Sequence, residues 1–540
     1  MLLCFVCTAG CDPAEPGSPS AGTLSPSAET AGSDPTRPAA GPLQPIDSQP
    51  TERQPHADDP RGSSPDSDPD ITTTANAGSR LGGPAAPTGT PARRFRLPPD
   101  GREPDVAQLA AHGIRAYEST HLLLLSDIPA EQAADLPAVA DLLFSQLEES
   151  LGSLAPAPDG TPFRVTGCLI DAPERFTAAG LMPSERFAIR HGRHLNYRFW
   201  MFNPPSDYYR RHLLLHEFVH CFMNCEYGMF DIPPLWFTEG IAEYFATHSL
   251  ATPDGRPAMF GVLPSNIDAF HGWGRIAEIR RSFQNQPDPA VTDAGFTALH
   301  RVIDPLSPVY DTDSQYAHAW ALFWLLQNHP VCRTAFGSFA EIRNSRDYAV
   351  RLNQVPAETL KQLAIEWPLF LDSLIEAFDG ELAFPVRRQF VDCPDPAGRQ
   401  NGAPAEASTA TVITGSAVTG SVTAAQGWQS PGRIFMTGQT IEVIAEGRFA
   451  MAQVPRPWIS EPSGITIRYH RGRPLGELVA MLVAADGSRA SRRVPVGRRM
   501  QISIPWDSEL WLQLNDSAAS RRDNSGEAVV TIRFPDGNRP

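Results

Sequence analysis

Two histidines four residues apart, His216 and His220, enclose Glu217-Phe218-Val219 in the run from Leu213 to Tyr227. Residues four apart share one face of a helix, so both imidazoles can point at a single metal ion. Glu217 lies one residue's rotation away, close enough to hold a water on that metal without ligating it. Two imidazoles leave a tetrahedral zinc ion two ligands short, so a hard oxygen or nitrogen must come from elsewhere, with water in the fourth position. Eighteen residues separate His220 from Glu239, which lies in Trp236-Phe237-Thr238-Glu239-Gly240-Ile241-Ala242-Glu243-Tyr244, the opening of a second helix. Two carboxylates one turn apart, Glu239 and Glu243, are therefore available.

The His-Glu-x-x-His pair followed at this distance by Glu-Gly-x-Ala resembles the gluzincin zinc peptidases, particularly aminopeptidase-N-like and bacterial peptidase MA-like proteins. The resemblance covers residues 95 to 390 and implies Glu239 as third zinc ligand and Glu217 as general base. It also implies that Tyr316, in Gln315-Tyr316-Ala317-His318-Ala319-Trp320-Ala321-Leu322, stabilises the oxyanion. His318, two residues on, is the competing donor. Glu243 can accept the second ring N–H of a ligand histidine and so fix its tautomer, or stand as a surface glutamate. His212, one turn before His216, reads as solvated. The Gly-x-Met-Glu-Asn segment by which the family's aminopeptidases bind a free N-terminus is not found between Ala188 and Asn203, which favours an endopeptidase or a narrowly specific hydrolase.

These residues need a scaffold. Thr120 to Ser126 reads as a buried strand, and Pro129 to Ser150 as a helix with Leu136, Val139, Ala140, Leu143, Leu147 and Leu151 on one face. Thr161 to Ile170 and His194 to Phe202 read as further strands, and Tyr208 to about Phe378 as mainly helical, giving an α+β unit with its sheet first. Cys221 and Cys225 lack a second Cys-x-x-Cys half and read as packed helix residues.

Past a Pro- and Gly-rich stretch at 391–408, short alternating runs take over: Ile441 to Ala445, Val479 to Val483, Met500 to Ile504, Leu510 to Leu514 and Ala528 to Phe534. Their spacing is that of an all-β sandwich. Gly427-Trp428, Gly438-Gln439-Thr440-Ile441, Gly472 to Leu478 and the loop Asn515 to Gly526 resemble the bacterial PA-I-type galactophilic lectin, a jelly roll, over about 410–536. That resemblance implies a calcium site with Asp516, Asp523 and Asn524 as side-chain ligands and Ser520 as a backbone-carbonyl ligand, a donor set calcium accepts. The lectin's sugar-contacting His and Gln have no clear counterparts between Trp458 and Gly472, so attachment to cell-surface carbohydrate or matrix rests on the fold alone.

A formal charge of −16 argues against nucleic acid and anionic lipid surfaces as partners. No apolar run reaches the roughly twenty residues that a spanning helix needs. Leu2 to Cys11 resembles the end of a bacterial lipoprotein signal, with Thr8-Ala9-Gly10 as cleavage box and Cys11 as the lipidated residue, although no basic segment precedes it. Residues 12–94, rich in Pro, Ser, Gly and Asp, lack the large apolar groups to offset chain entropy and read as a disordered tether. The expected plan is a signal at 1–11, a tether at 12–94, a gluzincin-like domain at 95–390, a linker at 391–408 and a lectin-like sandwich at 409–540. The expected protein is an exported, lipid-anchored zinc metallopeptidase, periplasmic or on the cell surface, acting on proteins or peptides. The alternative is a surface binding protein whose peptidase-like domain is structural.

Overall fold

The computed structural model describes residue 96 and residues 104–535, apart from 184–188, 228–232, 251–254, 256, 263–269, 285–296, 304–311, 330, 332–341, 343–344, 376–383, 393–410, 413–416 and 519. The signal, Cys11, the tether, Cys332 and Cys393 lie outside the described residues. The described chain is mixed α/β with several sheets.

The first sheet holds β1 (Arg115–Glu118), β2 (Leu122–Ser126), β3 (Val165–Ile170), β4 (Gly192–Leu195) and β5 (Arg198–Phe202) in the order β1-β2-β3-β5-β4. β2, β3 and β5 are parallel, and the edge strands β1 and β4 are antiparallel to their neighbours. Every residue of β2 is buried, because the sheet is covered on both sides. Leu122 and Leu124 face a large core with helix α1 (Leu136–Leu151), whereas Leu123 and Leu125 face Phe176 and Trp200 on the other side. A leucine so buried contributes about 1.5–3 kcal/mol.

His194 to Phe202, expected as one strand, is a hairpin of β4 and β5 instead. The chain reverses at Asn196, whose φ of 52° asparagine tolerates better than most residues. The expected helix over 129–150 is likewise split into Ala130–Ala133 and α1, which starts with Pro137 in its first turn.

α2 (Asp207–Tyr227), the longest helix among the described residues, packs on β3, β4 and β5. Phe218 and Phe222 meet Phe163 edge-on at 5.8 and 6.1 Å, which fixes the apolar side of α2. Cys221 and Cys225 are buried in this core as thiols, Cys221 Sγ donating to the Arg198 carbonyl oxygen at 3.7 Å. α3 (Leu235–Ala246) begins directly after Pro233-Pro234 and is buried almost throughout. Gly240 lets it approach α5 (Asp313–Asn328): a Cβ there would lie 2.9 Å from the Ala319 carbonyl oxygen. α5 starts with a capping box between Thr312 and Gln315, and α4 (Arg275–Gln284) packs beside it.

The C-terminal strands form a two-sheet β structure around their own core, including Val443, Leu478, Leu482, Leu510, Leu512 and Val530. One sheet runs Arg499–Ser503, Thr440–Glu446, Glu527–Arg533, Ala417–Thr423, Val391–Asp392; the other centres on Ser508–Leu514 beside Arg473–Ala484. Two strands upstream of residue 409 take part, Val386–Arg387 beside Gln429–Ser430 and Val391–Asp392 beside Ala417–Thr423. Val479, Met481, Val483 and Trp511 point out of this core and pack with Trp428 on Ile365 and Leu369 of α6 (Ala357–Leu374). At the same junction Asp372 of α6 is buried against Arg471, Arg493 and Trp428. Gly487, at φ 71°, lies so close that a Cβ would come 2.4 Å from the backbone of Ala364. Among the described residues no helix is long and apolar enough to cross a membrane.

Candidate metal centre

α2 and α3 bring three ligand atoms into one buried cluster. His220 Nε2 lies 3.1 Å from His216 Nε2 and 3.2 Å from Glu239 Oε2, and His216 Nε2 lies 3.3 Å from the same oxygen. The other carboxylate oxygen, Glu239 Oε1, is buried with no hydrogen-bond partner. Burial by itself would raise the Glu239 carboxyl, but His220 and His216 hold it far below the usual carboxylate range. His216, His220 and Glu239 thus form a buried group able to hold a metal ion.

Glu243 is buried, and so is His212, which the sequence placed in solvent. The reason is Glu243, whose Oε2 lies 3.2 Å from His212 Nε2. Arg275 grips the same carboxylate with two hydrogen bonds, Nη2 to Oε1 at 2.7 Å and Nε to Oε2 at 3.1 Å, and Trp273 Nε1–H donates to Oε2 at 3.3 Å. Burial would raise Glu243; Arg275 and His212 hold it well below its ordinary value. Its Oε1 meets His216 Nδ1 at 3.4 Å, without hydrogen-bond geometry. His212, His216 and Glu243 make a second ligand-capable group, but this carboxylate is already neutralised by Arg275, so it suits orienting His216 better than holding an ion.

Glu217 sits on the adjoining face of α2. Its Oε2 lies 3.2 Å from His194 Nδ1 of β4, a residue that the sequence did not single out. Burial pushes the Glu217 carboxyl up to about 7, against the pull of His216 and His220. The same burial lowers His194 to about 4, and its ring stacks on His220 with centroids 4.3 Å apart. The signal that finds His194 is the Asn196 turn: once β4 is an edge strand, its residues border α2.

Tyr316 and His318 diverge on α5. The Tyr316 ring is fully buried, 6.4 Å from the His216 ring, and the Arg275 guanidinium lies 5.2 Å from its centroid. His318 instead has its Nδ1 2.6 Å from the Ser314 carbonyl and its ring 6.3 Å from that of Trp367 on α6.

The four loop residues of the sandwich lie apart from this centre. Asp516 is buried; its Oδ1 accepts from Ser517 N at 2.8 Å and its Oδ2 from Asn524 Nδ2 at 2.8 Å. Asn524 Oδ1 is buried without a hydrogen-bond partner. Asp523 Oδ2 accepts from Gln453 N at 2.9 Å, and Ser520 Oγ pairs with Ser517 Oγ at 2.9 Å.

No protein-family model matches the chain. No curated protein matches it. Among solved structures it is similar to the "EclA N-terminal domain; PllA-like lectin", at 21% identity and a TM-score of 0.18, over 22% of this chain and 95% of that one. It is also similar to Aeromonas hydrophila PliG, a periplasmic lysozyme inhibitor of g-type lysozyme, at 13% identity and a TM-score of 0.12, over 24% of this chain and 96% of that one.

Proposed function

We propose that the chain is a zinc-dependent peptide-bond hydrolase of gluzincin type, with His216, His220 and Glu239 as ligands and Glu217 as general base. The observation that carries this is the triangle of ligand atoms, with sides of 3.1, 3.2 and 3.3 Å. Ligands about 2.0–2.1 Å from a tetrahedral zinc are roughly 3.3 Å from each other, so the three atoms span one face of such a coordination shell. The unpartnered Glu239 Oε1 fits the same interpretation, since a carboxylate without cation or donor is costly to bury.

Bound zinc would act as a Lewis acid, lowering the pKa of water and polarising the scissile carbonyl. Glu217, on the adjoining face of α2, would take a proton from the attacking water and deliver it to the leaving amine. Glu243, clamped by Arg275, would hold the His216 ring at its Nδ1 side. Tyr316, beside His216, is the oxyanion donor in this scheme. The wider proposal is a secreted lipoprotein anchored at Cys11, with a jelly-roll module that takes calcium at Asp516, Ser520, Asp523 and Asn524 and attaches to carbohydrate.

The test is Glu217→Gln. The zinc-loaded variant should keep one zinc per chain and cleave quenched-fluorescent peptides at least about a hundredfold more slowly, because an amide cannot accept the proton. Undiminished turnover would assign the base elsewhere. A zinc-loaded wild type that cleaves no peptide would favour the surface-binding alternative.

A further inference from the structure

β4 is the last strand of its sheet and pairs with β5 alone among the described residues. Gly192 and His194, two residues apart, face the same side of it, the side of α2. A Cβ on Gly192 would lie 2.3 Å from Glu217 Oε1, so the missing side chain is the space in which that oxygen rests. His194 Nδ1 approaches the other oxygen, Oε2, at 3.2 Å. The imidazole is itself fixed, lying flat on His220 with 22° between the ring planes.

We propose that β4 is a cradle for Glu217, in which His194 is a positioning residue: its Nδ1–H donates to Oε2 while Gly192 makes room for Oε1. The inference rests on Glu217 being the base of the hydrolysis proposed above. A glutamate on a helix has three rotatable torsions, and its carboxylate must point at the space over His216, His220 and Glu239 to act there. Contacts at both oxygens leave it one orientation, and a displacement of about 1 Å costs on the order of a hundredfold in rate.

The experiment uses the full-length, zinc-loaded protein and a pool of quenched-fluorescent peptides. His194→Ala should lower kcat by about tenfold or more, with KM within about twofold and one zinc per chain. His194→Asn, whose amide nitrogen stands where Nδ1 stood, should remain within about threefold of wild type. Unchanged kcat in His194→Ala, or His194→Asn as slow as His194→Ala, overturns the proposal; loss of zinc from His194→Ala does so too, by making the residue part of the metal's support. A second readout needs no turnover. In a urea-unfolding cycle, His194→Ala combined with Glu217→Ala should give an unfolding constant differing about fivefold from the product of the single effects. Agreement within about twofold means the two side chains are uncoupled and overturns the inference. If the wild type cleaves no peptide, the hydrolase proposal fails, and the unfolding cycle alone decides whether His194 holds Glu217.

Discussion

Glu239 and Asp372 are both carboxylates on buried helices, 0% and 2% exposed, yet their surroundings are opposite. Asp372 has every need met: Arg493 Nη2 and Trp428 Nε1 donate to Oδ2 at 2.6 and 3.0 Å, and Arg471 Nη1 to Oδ1 at 2.7 Å. Glu239 offers one oxygen to two imidazole nitrogens that also face each other, and its second oxygen has no hydrogen-bond partner. Buried polar groups in stable proteins are normally satisfied, so the first arrangement is complete as it stands, whereas the second leaves an oxygen open in a group able to hold a metal ion. The contrast separates a structural ion pair from a group able to hold a metal ion.

The largest expected effect breaks the incomplete side of the contrast. His220→Ala removes one corner of the ligand triangle, and elemental analysis should find zinc occupancy reduced to less than about a tenth per chain, with peptide cleavage lost in parallel. Stoichiometric zinc in that variant would mean that the triangle is not the metal's site.

Asp372→Ala tests the complete side. Removing one partner leaves two guanidinium groups at the junction without their counter-ion, which costs about 3–5 kcal/mol in unfolding free energy, while zinc content stays at wild-type level. The effect has a pH signature. Burial alone would raise the Asp372 carboxyl, but Arg493 and Arg471 depress it, so its stabilisation is fully present above the ordinary value of about 3.9 and is lost as pH falls towards the lower folded value. Wild type should therefore lose stability more steeply than Asp372→Asn below about pH 4 in urea titrations. Equal slopes would show that the pair contributes nothing through its charge.

A smaller effect is expected at α5, where the contrast lies between two residues of one helix. Tyr316→Phe should slow hydrolysis about a hundredfold with zinc content and KM nearly unchanged, since a donor to the oxyanion acts mainly in the transition state. His318→Ala should be far milder, because its ring packs towards Trp367. Comparable losses would indicate that both act through the packing of α5.

The sequence carried the parts of this arrangement that are local. The four-residue spacing of His216 and His220 and the carboxylates one turn apart on α3 are periodic signals, and Val479–Val483 is a short apolar run buried on both faces; helices and strand formed accordingly. Long-range partners were not legible. Asp372 meets Arg471 and Arg493 from 99 and 121 residues away, and no pattern around any of the three announces the others. His212 was misjudged for the same reason: Glu243 and Trp273, which meet it, come from two other segments. His194 escaped notice because a single Asn at φ 52° turns an apparently continuous strand into the hairpin that presents it to Glu217.

The smallest effect concerns the loop at Asp516, which lies between the two extremes. Both Asp516 oxygens already accept hydrogen bonds, from Ser517 N and Asn524 Nδ2, but Asn524 Oδ1 is buried and unpaired, and burial raises the Asp516 carboxyl above its ordinary value. A calcium ion here would have to replace the Asn524 donor with its acceptor oxygen, so part of the binding energy is offset by a lost hydrogen bond. Calcium at about five times its Kd would then stabilise the module by about 1 kcal/mol, a rise in melting temperature of roughly 2–4 °C. Asp516→Asn should abolish the rise while leaving zinc content and peptide cleavage untouched. A melting curve indifferent to calcium and to chelator would class this loop with Asp372, as a set of polar groups that satisfies itself.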